Sequence, residues 1–207
     1  MDGPQINRSP EREHADCVAW AESAMKTNSR IRKLLESLES RGCPMRIGVN
    51  LLCERCDQPG LNGGFDAERA EAVVCENAVR NGQQVERVLA HELVHAYDHC
   101  RAHVNWSYLP HWACSEVRAA ALSGECSLTV SKFMQTAAGM MPWRLHKGGV
   151  DCARRHAIRS LQALRSDLEM AEIETAVDSV FVPCYLDSEP FDVIPPLTRP
   201  LGWKPRK

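Results

Sequence analysis

Ten cysteines spread over 207 residues constrain this chain more than any other feature. They stand at Cys17, Cys43, Cys53, Cys56, Cys75, Cys100, Cys114, Cys126, Cys152 and Cys184. An even number scattered in this way predicts disulfides that tie together elements distant in sequence. The alternative is buried free thiols packing as small hydrophobes. Spacing does not give the pairing. Cys53-Glu54-Arg55-Cys56 is a lone CxxC; with no second pair at ribbon spacing, it reads as disulfide-forming or structural.

Apolar periodicity divides the chain. Over 13–41, Val18, Ala21, Met25, Ile31, Leu34, Leu35 and Leu38 recur at intervals mostly of three and four, predicting a helix that Gly42 and Pro44 end. Residues 45–53, MRIGVNLLC, read as a strand, CDQPGLNGGFD as turn, and 71–77, EAVVCEN, as a second strand. Val85, Val88, Leu89 and Ala96 stripe a helix over 83–101. Another helix starts near Pro110, carries the small residues Ala113, Ala119, Ala120 and Ala121, and stops at Gly124. A Gly- and Met-containing loop around 137–149 precedes a basic helix over 150–168, with Arg154, Arg155, Arg159 and Arg165, and a shorter one over 170–180. Those arginines are a candidate membrane surface or a solvated face. Beyond Phe181 the chain is proline-rich and reads as extended or disordered.

Within the helix over 83–101 lies His91-Glu92-Leu93-Val94-His95, an HExxH. On a helix, positions four apart sit one turn above each other, so both imidazoles can share one ion. Glu92, beside the first of them, reaches a water on that ion without binding the metal itself, and can accept the water's proton. The pattern predicts a Zn2+ hydrolase, which needs a third protein ligand. Asp98 and Arg101 occupy the positions where a metzincin has its glycine and third histidine, so that continuation is excluded. A glutamate from a second helix is the gluzincin arrangement. Glu116, 21 residues after His95 on the small-residue helix, is the leading candidate, with His111, His99 and Glu125 as alternatives. Pairing with Arg118 is the plain structural role for Glu116. Asp98 is a candidate to orient an imidazole from behind, or a surface aspartate. Tyr108, Tyr185 and His146 are candidates to stabilise an oxyanion; His14, His103 and His156, like His146, read otherwise as structural or exposed. The strand over 71–77, if it forms an exposed edge beside the HExxH helix, would hold an extended peptide by strand addition.

The expected fold class is α+β: a small zincin-like, gluzincin-type domain, mostly helical, with a short sheet beside the HExxH helix. Its expected limits are 13–187, with an N-terminal tail over 1–12 and a proline-rich tail over 188–207. Twenty-five basic residues against 27 acidic ones, with 6% aromatic content, leave no electrostatic or stacking footprint for nucleic acid. No stretch approaches the roughly 18 apolar residues needed to span a bilayer. The acidic, polar first 17 residues lack the marks of a cleaved targeting segment.

HELVHAYDHCR followed by HWACSEVRAAALSGEC resembles the mitochondrial metallopeptidase family that processes subunit a of ATP synthase and assists assembly of its membrane sector. The resemblance runs back through RGCPMRIGVNLLCERC and GGFDAERAEAVVCENAV, forward through HKGGVDCARRHAIRSL, and spans roughly 12–187. It implies His91 and His95 as zinc ligands, Glu92 as the catalytic carboxylate, and Glu116 in the segment the family shares. It also implies a polypeptide substrate, the N-terminal segment of an ATP synthase membrane subunit, and residence in the intermembrane space with peripheral contact to the mitochondrial inner membrane. The other reading it carries is a non-proteolytic assembly chaperone that retains a zinc site.

Overall fold

The computed structural model describes residues 8–126 and 142–192, the latter with side chains from 149 onward. Two compact units divide the chain, Met1–Val104 and Asn105–Lys207.

The first unit opens with α1 (Pro10–Thr27) and α2 (Ser29–Ser40), not with one long helix. The break is Asn28. Its backbone is extended, at φ −82° and ψ 113°, and its side-chain oxygen accepts from the amides of Arg30 and Ile31 at 3.0 and 3.3 Å. One asparagine thus ends α1 and caps α2, a role that apolar periodicity continuing across it conceals. Ile31, Leu34 and Leu38 are fully buried, each contributing about 1.5–3 kcal/mol by burial.

The expected strand over 45–53 shrinks to β1 (Leu51–Glu54). An asparagine is again responsible: Asn50 accepts from the Arg46 amide at 2.8 Å and donates to the Pro44 carbonyl at 3.0 Å, holding 44–50 in a turn. β2 (Gly63–Asp66) falls in the stretch expected as turn. β3 (Glu71–Cys75) is the central strand, parallel to β1 from Leu51↔Ala72 to Glu54↔Cys75 and antiparallel to β2 from Gly63↔Val74 to Asp66↔Glu71. The expectation that β3 offers an exposed edge is therefore wrong, because both its sides are hydrogen-bonded; β1 and β2 are the edges. α3 (Gly82–Arg101), capped by Asn81 on the Gln84 amide, packs against α1, α2, β2 and β3. Three disulfides staple this unit: Cys17–Cys53, Cys43–Cys100 and Cys56–Cys75.

The second unit contains α4 (Leu109–Leu122), α5 (Pro142–Leu164) and α6 (Met170–Leu186), each packed on the other two. α5 begins earlier than expected, so Gly148 and Gly149 lie inside it; residues 137–141 of the expected loop are outside the described residues. α6 runs past Phe181 to Leu186 with Pro183 inside it. Its last turn holds because Cys184 and Tyr185 are buried and Cys184 is bonded to Cys114 of α4. Cys126–Cys152 is the other bridge, and no described cysteine is free. Arg154 and Arg165 of the basic helix pair with Asp178 and Asp167 at 2.6 and 2.8 Å. Residues 1–7 of the expected N-terminal tail and 193–207 of the C-terminal tail are outside the described residues.

Candidate metal centre

α3 sets Val85, Leu89 and Leu93 into the core, and the same face brings polar groups in with them. Glu92, His95 and Asp98 are only 6%, 5% and 3% exposed, and His91 is half-buried. Buried titratable side chains on consecutive turns are costly unless something compensates them. The His91 and His95 rings meet edge to face, centroids 4.8 Å apart and planes at 72°, with a ring nitrogen of each within 4.8 Å of the other. That spacing and chemistry fit a divalent cation bound by two imidazoles.

One turn further along α3, the Asp98 carboxylate accepts from Arg101 Nε at 3.1 Å. Arg101 and Arg41 in turn lie over the Tyr97 ring, 5.7 and 5.2 Å from its centroid. Asp98 is therefore not a surface aspartate; it is buried and fixed by a charge-assisted bond. His99 leans on Phe65 of β2 at 5.6 Å.

In the second unit, Glu116 is 1% exposed on α4, among Ala113, Val117, Ala119 and Ala120. Arg118, equally buried, engages Asp187: its guanidinium meets that carboxylate at 2.7 Å and donates to the carbonyls of Asp187 and Glu189. His111 is exposed and accepts the Asn105 amide at 3.1 Å, bridging the turn that leads into α4. Glu125 faces His156 at 3.6 Å. Cys126, Cys152 and His156 also converge, but the two sulfurs are spent on each other, so that cluster offers no thiolate to a metal. Of the oxyanion candidates, Tyr108 is exposed, and His146 lies where side chains are not described. Tyr185 stacks on Phe181 at 5.4 Å, and burial pushes its phenol above the usual value, keeping it a proton donor at neutral pH. His14 pairs with Glu76 at 2.7 Å, and His103 is exposed.

The model of the Peptidase M76 family matches residues 15–192. The chain belongs to that family. It is accordingly a metallopeptidase. Curated relatives agree. A human protein named mitochondrial inner membrane protease ATP23 homolog is 40% identical over 83% of this chain and 67% of its own length. The Xenopus laevis protein of the same name is 39% identical over 86% and 73%, and the Yarrowia lipolytica mitochondrial inner membrane protease ATP23 is 34% identical over 87% and 70%. No solved structure matches this M76 chain. No helix among its described residues is long and apolar enough to cross a membrane.

Sequence patterning missed β2. Its Gly63 lies under α3: a β-carbon there would stand 3.2 Å from Glu92 Oε1. A glycine pair amid turn residues gave no signal for a strand.

Proposed function

We propose that this chain is a zinc-dependent endopeptidase of the mitochondrial intermembrane space, peripheral to the inner membrane. On this reading it processes the N-terminal segment of an ATP synthase membrane subunit and assists assembly of the membrane sector. The observation that carries it is the His91–His95 pair, with Glu92 and His95 buried, in an M76 chain. The names of the relatives support the membrane and the protease. Five disulfides fit an oxidising compartment.

The proposed ligands are His91, His95 and Glu116, in a gluzincin-type peptidase domain over 13–187 flanked by tails over 1–12 and 188–207. For Glu116 the support is its burial: a carboxylate 1% exposed on a helix of small residues is stable when it faces a cation. Asp98, held by Arg101, fixes the environment of the imidazoles. The ion, when bound, supplies Lewis acidity toward a peptide carbonyl and toward water. Glu92 accepts the water's proton and hands it to the leaving amine. The substrate lies extended along β2, the sheet edge beside α3, paired through backbone groups.

Elemental analysis and cleavage assays on wild type, Glu92→Gln and Glu116→Gln test this. One zinc per chain is expected in wild type and in Glu92→Gln, with cleavage lowered about 10²–10⁴-fold in the latter. Glu116→Gln should lose most of its zinc. Cleavage surviving in Glu92→Gln would overturn the role given to Glu92, and a wild type with neither zinc nor cleavage would leave an assembly-binding role as the better reading.

A further inference from the structure

β2 comes closer to α3 than a residue with a side chain at position 63 would allow. A β-carbon built on Gly63 would stand 2.4 Å from Val88 Cγ1, 2.7 Å from the Val73 carbonyl oxygen and 3.2 Å from Glu92 Oε1. Ordinary carbon–carbon contact lies at about 3.5–4.0 Å, so the strand and helix are about 1 Å too near for an alanine. The need is for space, not for backbone freedom, because Gly63 is outside the left-handed region. It is also local: a β-carbon on Gly64 meets nothing within 4 Å.

The three neighbours differ in what they can yield. The Val73 oxygen is backbone of the central strand, whose register with β2 is fixed from Gly63↔Val74 onward. Val88 is branched and held near one rotamer by its helix. The Glu92 carboxylate is the soft one, the end of a side chain with free torsions. Whatever is added at 63 therefore pushes on Glu92 and, because Val88 and the Val73 oxygen lie closer still, lifts β2 off α3 at the level of Glu92.

We propose that Gly63 is a positioning residue for peptide cleavage: by having no side chain it lets β2 close onto α3 beside Glu92 and holds that carboxylate where it works. This rests on Glu92 being the proton acceptor. The overlap of about 1 Å is with Val88, so the loss at Glu92 comes chiefly from β2 lifting off α3 beside it, and a misplacement of about 1 Å near a reacting group costs up to about 10²-fold in rate. Substrate pairs with β2 through its outer edge, whereas the missing β-carbon points at α3, so binding is affected less than turnover.

The test is Gly63→Ala in the full chain, read as kcat and KM with zinc content and thermal unfolding alongside. The expected result is kcat lowered about 10–100-fold, KM within about threefold of wild type and zinc retained. If Gly63→Ala does not fold, Gly63→Ala/Val88→Ala removes the nearest collision and keeps the one with Glu92; its kcat should still fall below that of Val88→Ala alone. A group acting through Glu92 should add no further loss in a Glu92→Gln background, whereas a merely structural change would. A folded, zinc-loaded chain with alanine at 63 that turns over as fast as its glycine counterpart overturns the proposal. Cleavage that survives Glu92→Gln also overturns it, by removing what Gly63 would position. Cleavage lost in Glu92→Gln but untouched by Gly63→Ala would sink this inference alone and leave the Glu92 reading standing.

Discussion

Removing the Cys43–Cys100 bridge should cost this protein about 4 kcal/mol. The bridge joins the loop after α2 to the last turn of α3, across 57 residues. The Cys56–Cys75 bridge lies inside that loop and short-cuts 19 of them; 57 less 19 leaves 38 residues. Unfolding a chain with that loop still closed forfeits entropy that grows with the logarithm of loop length, which at 38 residues amounts to about 4 kcal/mol at 25 °C. For the 19-residue loop the same relation gives about 3 kcal/mol.

Cys43→Ala/Cys100→Ala and Cys56→Ala/Cys75→Ala, unfolded in guanidinium chloride and followed by far-ultraviolet circular dichroism, measure both numbers. With a slope of about 4 kcal/mol/M, the first pair should shift the midpoint down by about 1 M. The slope itself should rise, since an untethered unfolded chain is more expanded and exposes more surface. A loss below about 1 kcal/mol with an unchanged slope would refute the entropic account and show that the unfolded chain is already compact without the bridge.

Arg118→Met keeps the aliphatic stem of a side chain 1% exposed and removes the charge that engages Asp187 and two carbonyls; thermal unfolding should record a loss of about 3 kcal/mol. Asp187→Asn, which leaves the carbonyl contacts in place, should cost less than half of that. The Arg154–Asp178 pair makes a pH prediction. The hydrogen bond from Arg154 lowers the Asp178 pKa below 3.8, so its contribution is present above that value and disappears as pH falls through the lowered one. The pair is well exposed and screened, so the stability difference between wild type and Asp178→Asn should stay under about 1 kcal/mol at pH 6 and vanish toward pH 2.

The helices were legible because their signal is repeated. α3 was expected over 83–101 and runs Gly82–Arg101; the Pro110 helix runs Leu109–Leu122. Each rests on several turns of apolar residues plus a stop, so one ambiguous residue moves an end and not the element. The failures came where one polar side chain decides. Asn28 and Asn50 redirect the backbone through bonds from their own amide groups, and periodicity on either side cannot reveal whether such bonds form. The cysteines predicted bridges, but the pairing depends on which chain segments meet, and that is a property of the whole fold.

The site divides along the same line. His91, Glu92 and His95 were legible because one helical turn relates them, so spacing in sequence is spacing in space. Asp98 was ambiguous, since its partner Arg101 and the Tyr97 ring beneath it matter only once α3 is packed. Gly63 was illegible. Far from Glu92 in sequence, in a run dense with Gly, Asn, Asp and Pro, a glycine reads as turn chemistry. Its role is a volume left empty between β2 and α3, and an empty volume writes nothing into the sequence except the absence of a side chain. The mistaken edge strand has the same origin: apolar β3 looked like the strand that matters, and glycine-rich β2 did not. Yet a strand paired on both sides has no free edge for a peptide, while a strand that opens on two glycines can lie against α3 and still present one.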